Sequence, residues 1–116
     1  MGISLKPAKG GPSLGHFYNE RIVIGRELGC DMVISSPAIS RRHCVIQELE
    51  GEFILYDLGS KNGTWHNGTA IERTVLASGD QITLGNYALT FETVPDPAQQ
   101  HLARTWALGE PLPIGC

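Results

Sequence analysis

No stretch of this 116-residue chain approaches the ~20 consecutive apolar residues that carry a helix across a bilayer. The opening residues, MGISLKPAKGG, lack the apolar run of a secretion signal, so the chain is expected to be cytoplasmic. N-myristoylation at Gly2 is discarded as well, because Lys6 stands where that motif needs Ser or Thr. Cysteine is scarce. Cys30, Cys44 and Cys116 are an odd set without a C-x-x-C pair, which argues against both a disulfide framework and a zinc site. They read as two buried or half-buried thiols and a loose thiol at the end of the chain. His16, His43, His66 and His101 have no ligand-like spacing with one another or with cysteine, so no metal is expected. Basic excess is also missing: the formal net charge is −3. Without a global basic field, neither nucleic acid nor an anionic membrane is an expected partner. The phosphate-binding motifs G-x-x-x-x-G-K-[ST] and G-x-G-x-x-G after a strand are absent, so no nucleotide or other cofactor is expected.

Glycine is plentiful, 14 residues together with 7 prolines, against a usual glycine content of ~7%. Many turns between short elements are implied. Hydrophobic residues make up 41% and charged residues 18%, the balance of a chain that folds around one core. The dominant period is two. Short β-branched or aromatic runs at Arg21–Ile24, Met32–Ile34, Cys44–Leu49, Phe53–Leu58, Gln81–Leu84 and Tyr87–Phe91 predict six strands. Ile3–Lys6 and Ser13–Tyr18 offer two more at a sandwich edge. Turn residues separate the runs, and no helical pattern long enough for a parallel crossover lies between any two. The fold class predicted is therefore all-β, a sandwich of two antiparallel sheets. Residues 1–19 are assigned to N-terminal edge strands, part of the domain or else flexible, 20–94 to the core and 95–116 to a tail or linker. Pro95 and Pro97 stop the last strand. A short helix over Ala98–Leu108, with Leu102 and Trp106 on one side, is the alternative for the tail.

One hairpin locates chemistry. Strand 44–49 leaves a loop ending in Ser40-Arg41-Arg42-His43, turns at Glu50-Gly51-Glu52, and returns along 53–58 into Gly59-Ser60-Lys61-Asn62-Gly63. A hairpin brings both loops to the same end, and ~6 residues per strand at ~3.3 Å each put the acidic turn some ~20 Å away. Arg41, Arg42 and Lys61 thus share one end with the hydroxyls of Ser40 and Ser60 and the amide of Asn62. Glu48, Glu50 and Glu52 occupy the other. The first collection suits an anion.

Gly25-Arg26, Ser40-Arg41-Arg42-His43, Asp57 through Thr64 (DLGSKNGT), Asn67-Gly68, Gly79-Asp80 and Gly85 follow one another in the order and spacing of the forkhead-associated (FHA) domain. The resemblance covers about residues 20–92. Each piece is weak alone, and the ordered set is specific. It implies an FHA-type sandwich, similar to the SMAD fold, whose loops at one end bind a phosphothreonine-containing peptide. Arg26 then resembles the phosphate-binding arginine, with a planar fork of donors suited to an oxyanion. Ser40 resembles the phosphate-binding serine. Arg41 falls where a further phosphate contact is common, and Arg42 is expected to face outward. Asn62 resembles the asparagine that hydrogen-bonds the peptide main chain. Lys61 departs from the small hydroxyl residue frequent there, which bears on peptide preference. His43 resembles a structural buttress, and Gly25 and Gly63 resemble positions where a Cβ would obstruct the loops. Cys44 replaces a common alanine and reads as a packing change.

The function implied is a phosphothreonine-peptide recognition module, not an enzyme, that recruits a partner phosphorylated by a serine/threonine kinase, or the kinase itself, and acts as a monomer. A phosphate-independent or self-associating FHA scaffold is the alternative. A hydrolase built on Ser40 and His43 is more distant, because the loops offer no third, orienting carboxylate. The glycosylation sequons at Asn62 and Asn67 are read as turns.

Overall fold

The computed structural model describes residues 2–95. Among these residues are eleven strands: β1 Gly2–Pro7, β2 Gly15–Phe17, β3 Arg21–Gly25, β4 Met32–Val33, β5 Cys44–Leu49, β6 Glu52–Asp57, β7 Thr64–His66, β8 Thr69–Ile71, β9 Arg73–Leu76, β10 Gln81–Leu84 and β11 Tyr87–Val94. They form a six-stranded sheet in the order β2-β1-β11-β10-β7-β8 and a five-stranded sheet in the order β4-β3-β5-β6-β9. The two face each other across a core built by alternation. Ile3 and Leu5 of β1, Ile82 and Leu84 of β10, and Leu89 and Phe91 of β11 meet Ile22 and Ile24 of β3, Ile46 of β5, and Phe53 and Leu55 of β6. Phe53 and Phe91 join the sheets edge to face, with ring centroids 5.6 Å apart, an arrangement that adds ~0.5–1.5 kcal/mol beyond burial.

The six strands expected from periodicity are all present, with shifted ends: β6 stops at Asp57 rather than Leu58, and β11 runs on to Val94. Three elements differ from the sequence reading. β1 is not an edge strand. It lies between β2 and β11 in the larger sheet, in register from Gly2↔Val94 to Pro7↔Leu89, and its Ile3 and Leu5 are fully buried. The strands β7, β8 and β9 had no counterpart in the periodic pattern, because runs of three or four residues are too short to show a period of two. Finally, the sheets are not wholly antiparallel. β4 pairs parallel with β3 over Ile24↔Met32 and Gly25↔Val33. That pair forms because the chain doubles back after β3: Cys30 N–H bonds Glu27 C=O at 3.1 Å, and Asp31 accepts the Val23 N–H at 2.8 Å. The tail beyond Pro95, including the helix considered over Ala98–Leu108, lies outside the described residues.

Two hairpin turns have both central residues at positive φ, Glu50-Gly51 (52° and 82°) and Asn67-Gly68 (48° and 89°). This is the type I′ geometry that matches strand twist. The first closes β5 onto β6 with Leu49↔Glu52 paired and Cys44↔Asp57 at the far end. The acidic turn and the basic loops are thereby fixed at opposite ends of the sandwich.

Candidate functional site

The candidate residues stand on the connections β3–β4, β4–β5 and β6–β7, and a backbone network holds these three loops together. Arg26 N–H donates to Ser40 C=O at 3.0 Å and Glu27 N–H to Arg41 C=O at 3.1 Å. This contact is possible only without a side chain at Gly25, where a Cβ would stand 2.1 Å from the Arg41 carbonyl oxygen and 2.9 Å from Arg42 Cα. Gly63 takes φ of 85°, a conformation that favours glycine. Both glycines are backbone requirements, one for close approach and one for dihedral.

His43 is fully buried beneath the loops. Its Nδ1 accepts the Ser40 backbone N–H at 3.1 Å, so the ring proton sits on Nε2, which donates to the Gly63 carbonyl at 2.7 Å. One ring thus bolts the serine loop to the β6–β7 loop, and both of its nitrogens are used in doing so. Asp57, at the end of β6, organises the second loop. Its carboxylate accepts the backbone N–H groups of Gly59 (3.0 Å) and Ser60 (3.1 Å) and the hydroxyls of Ser60 and Thr64. Partial burial pushes this carboxyl up, but the bonds from Ser60, Thr64 and Gly59 outweigh it and hold the group below the ordinary aspartate value. Ser60, grouped with the binding hydroxyls by sequence, spends its hydroxyl on Asp57. Asp80 has a comparable role elsewhere. It meets His66 of β7 at 2.6 Å and the Ala77 N–H at 2.9 Å, tying β7 to the β9–β10 turn.

On this frame Arg26, Arg41, Lys61 and Asn62 are exposed and Ser40 is half-buried. Arg26 Nε–H donates to the Ile39 carbonyl at 3.0 Å, which fixes the guanidinium plane and leaves its two terminal NH2 groups for a ligand. Ser40 Oγ accepts the Lys61 backbone N–H at 3.0 Å and keeps its own hydrogen to donate. Asn62 Nδ2 donates to Ala38 C=O at 2.8 Å, which orients the amide while its oxygen remains free to accept. Arg26, Arg41 and Lys61 make no ion pair among the described residues, whereas Arg42 is drawn to Glu27 at 3.3 Å. Arg42 is accordingly the basic side chain of this group that is already neutralised. Burial pushes the thiols of Cys30 and Cys44 up, and Cys30 Sγ–H donates to the Arg41 carbonyl at 3.2 Å. No group of His, Cys, Asp and Glu among the described residues is arranged to hold a metal ion.

Sequence reasoning missed the groove beside Asn62. A cavity of about 510 Å³ is bordered by Ala38, Asn62, Trp65, Thr83, Gly85 and Asn86. Gly85 (φ 60°) lies so close to Ala38 that a Cβ would stand 2.7 Å from its carbonyl oxygen. The Trp65 signal is weak in sequence because β7 is only three residues long.

A guanidinium, a hydroxyl and two further cations thus stand on three loops braced to one another. Comparison with known proteins decides the family, because the family model described as FHA domain matches residues 22–85, more than half of the chain. The chain belongs to the FHA family. This FHA domain is 34% identical over 97 residues to the glycogen accumulation regulator GarA of Mycolicibacterium smegmatis, spanning 81% of this chain and 61% of that protein. The chain therefore covers about 61% of the length of that relative. Among solved structures, one from a structural and functional analysis of phosphothreonine-dependent FHA domain interactions is 28% identical, with a TM-score of 0.74 over 83% of this chain and 100% of that one. EmbR of Mycobacterium tuberculosis, solved in complex with a low-affinity phosphopeptide, is 26% identical with a TM-score of 0.75 over 82% of this chain and 25% of its own. The FHA domain here thus carries, on the fold of domains solved for phosphothreonine-dependent interactions, the loop residues described above.

Proposed function

We propose that this FHA domain binds a phosphothreonine-containing segment of a partner protein and so recruits a substrate of a serine/threonine kinase, or the kinase itself, without catalysing a reaction. The observation that carries the reading is that Arg26, the Ser40 hydroxyl, Arg41 and Lys61, the three cations without an ion pair among the described residues, stand on loops that His43 and the backbone bonds from Arg26, Glu27 and Lys61 lock together. In this reading the phosphate oxygens meet Arg26, Ser40 and Arg41, each charge-assisted bond contributing roughly 1.5–3 kcal/mol, and Lys61 bears on peptide preference. Asn62 holds the peptide main chain with its free amide oxygen. The solved relative with a phosphopeptide supports the ligand class, and the relative named a regulator supports an adaptor role.

The hydrolase alternative loses support because His43 already binds a backbone donor at Nδ1 and a backbone carbonyl at Nε2, which leaves Ser40 without a base. Among the described residues no helix is long and apolar enough to cross a membrane. Titration with one peptide in phosphothreonine, phosphoserine and unphosphorylated forms tests the proposal. Tight binding to the phosphothreonine form alone is expected. Equal affinity for the unphosphorylated form would establish the phosphate-independent scaffold instead.

A further inference from the structure

The groove beside Asn62 does not end at Asn86. A second cavity of about 210 Å³, bordered by Pro7, Lys9, Asn86, Tyr87 and Ala88, begins there, so Asn86 lines both. Strand register shows that the two open on one face. Trp65 of β7 is paired with Thr83 of β10, and Thr83 with Ala88 of β11, so the three side chains form one row across the outer surface of the larger sheet. The Ala8 N–H donates to Ala88 C=O at 3.0 Å and carries the row to the end of β1. Its floor is small and uncharged. Trp65, 40% exposed, stands at the end nearest the phosphate loops. Lys9 stands at the other end. Lys6 is neutralised by Glu92 at 3.0 Å, whereas Lys9 is exposed and makes no ion pair among the described residues.

Resting on the phosphothreonine reading, we propose that this row is a second recognition track for the same partner segment, taking an apolar side chain against Trp65 and a carboxylate at Lys9. Continuity names the occupant: Ala38 and Asn62 are hydrogen-bonded to each other and border both the phosphate loops and the first cavity. Charge names its distal chemistry, since the track is uncharged until it meets a lone cation. Length follows from the sheet. From β7 through β10 and β11 to β1 are three interstrand steps of ~4.8 Å, ~14 Å in all, which an extended chain spans in about four residues. The ligand is accordingly a phosphothreonine segment with an apolar residue followed, about four residues further out, by Asp or Glu.

The test is fluorescence anisotropy with the full chain and labelled phosphothreonine peptides. One is short, with two residues on each side of the phosphothreonine; others are extended by eight residues on the N-terminal or the C-terminal side, with an apolar residue and a distal Glu or Lys. One extended set is expected to bind about tenfold tighter than the short peptide when it carries the distal Glu, and to lose most of that gain with Lys. Lys9→Glu should reverse the Glu-over-Lys preference and leave the short peptide unchanged. Trp65→Ala should remove the gain from the apolar residue. Equal binding of the short and all extended peptides, or a charge preference untouched by Lys9→Glu, would overturn the track while leaving the phosphothreonine reading intact. Failure of every phosphopeptide, short ones included, would overturn both.

Discussion

Replacing His43 with alanine separates a buttress from a ligand contact. The ring is fully buried and makes two backbone hydrogen bonds, from Ser40 N–H at 3.1 Å and to Gly63 C=O at 2.7 Å. Alanine leaves that donor and that acceptor without partners, at roughly 1–3 kcal/mol each. The void left by the ring adds to this, so a loss of at least ~3 kcal/mol is expected, in the upper range for a point substitution. For a domain of this size each kcal/mol lowers Tm by ~4–8 °C, and His43→Ala should melt at least ~12 °C below the parent. Calorimetry and phosphopeptide titration on the same samples, the latter at a temperature where the variant is folded, are the assays. Affinity should weaken because the serine loop and the β6–β7 loop are no longer bolted together. The reasoning fails if Tm stays within ~2 °C of the parent while binding disappears, since His43 would then act on the ligand directly.

Arg26→Lys keeps the charge but loses both the Nε bond to Ile39 and the terminal fork, so phosphopeptide affinity should fall roughly tenfold or more, and Arg26→Ala should fall further, with Tm nearly unchanged; titration calorimetry reads both. Acid stability should depend on Asp57, whose folded-state carboxyl lies below its unfolded value. Its contribution is full above the ordinary aspartate range and is lost as pH falls below about 4 through the folded value, so Asp57→Asn should flatten the acid limb of a Tm-versus-pH curve. Truncation after Val94, the last residue paired to β1, is expected to preserve both Tm and phosphopeptide binding; a Tm lowered by many degrees would make the tail part of the domain.

The sequence by itself determined the class, the charge polarity and most of the candidate site. Runs long enough to show their period, such as Cys44–Leu49 and Phe53–Leu58, point to strands, and β5 and β6 form there. A tight hairpin between two such strands must return its outer loops to one end, so Ser40 and Asn62 share an end before any coordinates are known. Arg26, by contrast, was assigned only through resemblance to a family, because nothing local brings the β3–β4 loop to Ser40. Tertiary structure alone decided that meeting, through the close approach at Gly25 and the paired bonds from Arg26 and Glu27 to the Ser40 and Arg41 carbonyls. It also decided which polar groups are free. Ser60 and Arg42 have the right chemistry and are spent on Asp57 and Glu27, while Ser40 keeps a donor because the Lys61 amide, 21 residues away, fills its acceptor. The short strands β7 to β9 are held by their neighbours rather than by their own period. For that reason Trp65, and the row it begins across the outer face of the sheet, is a property of register between strands far apart in the chain.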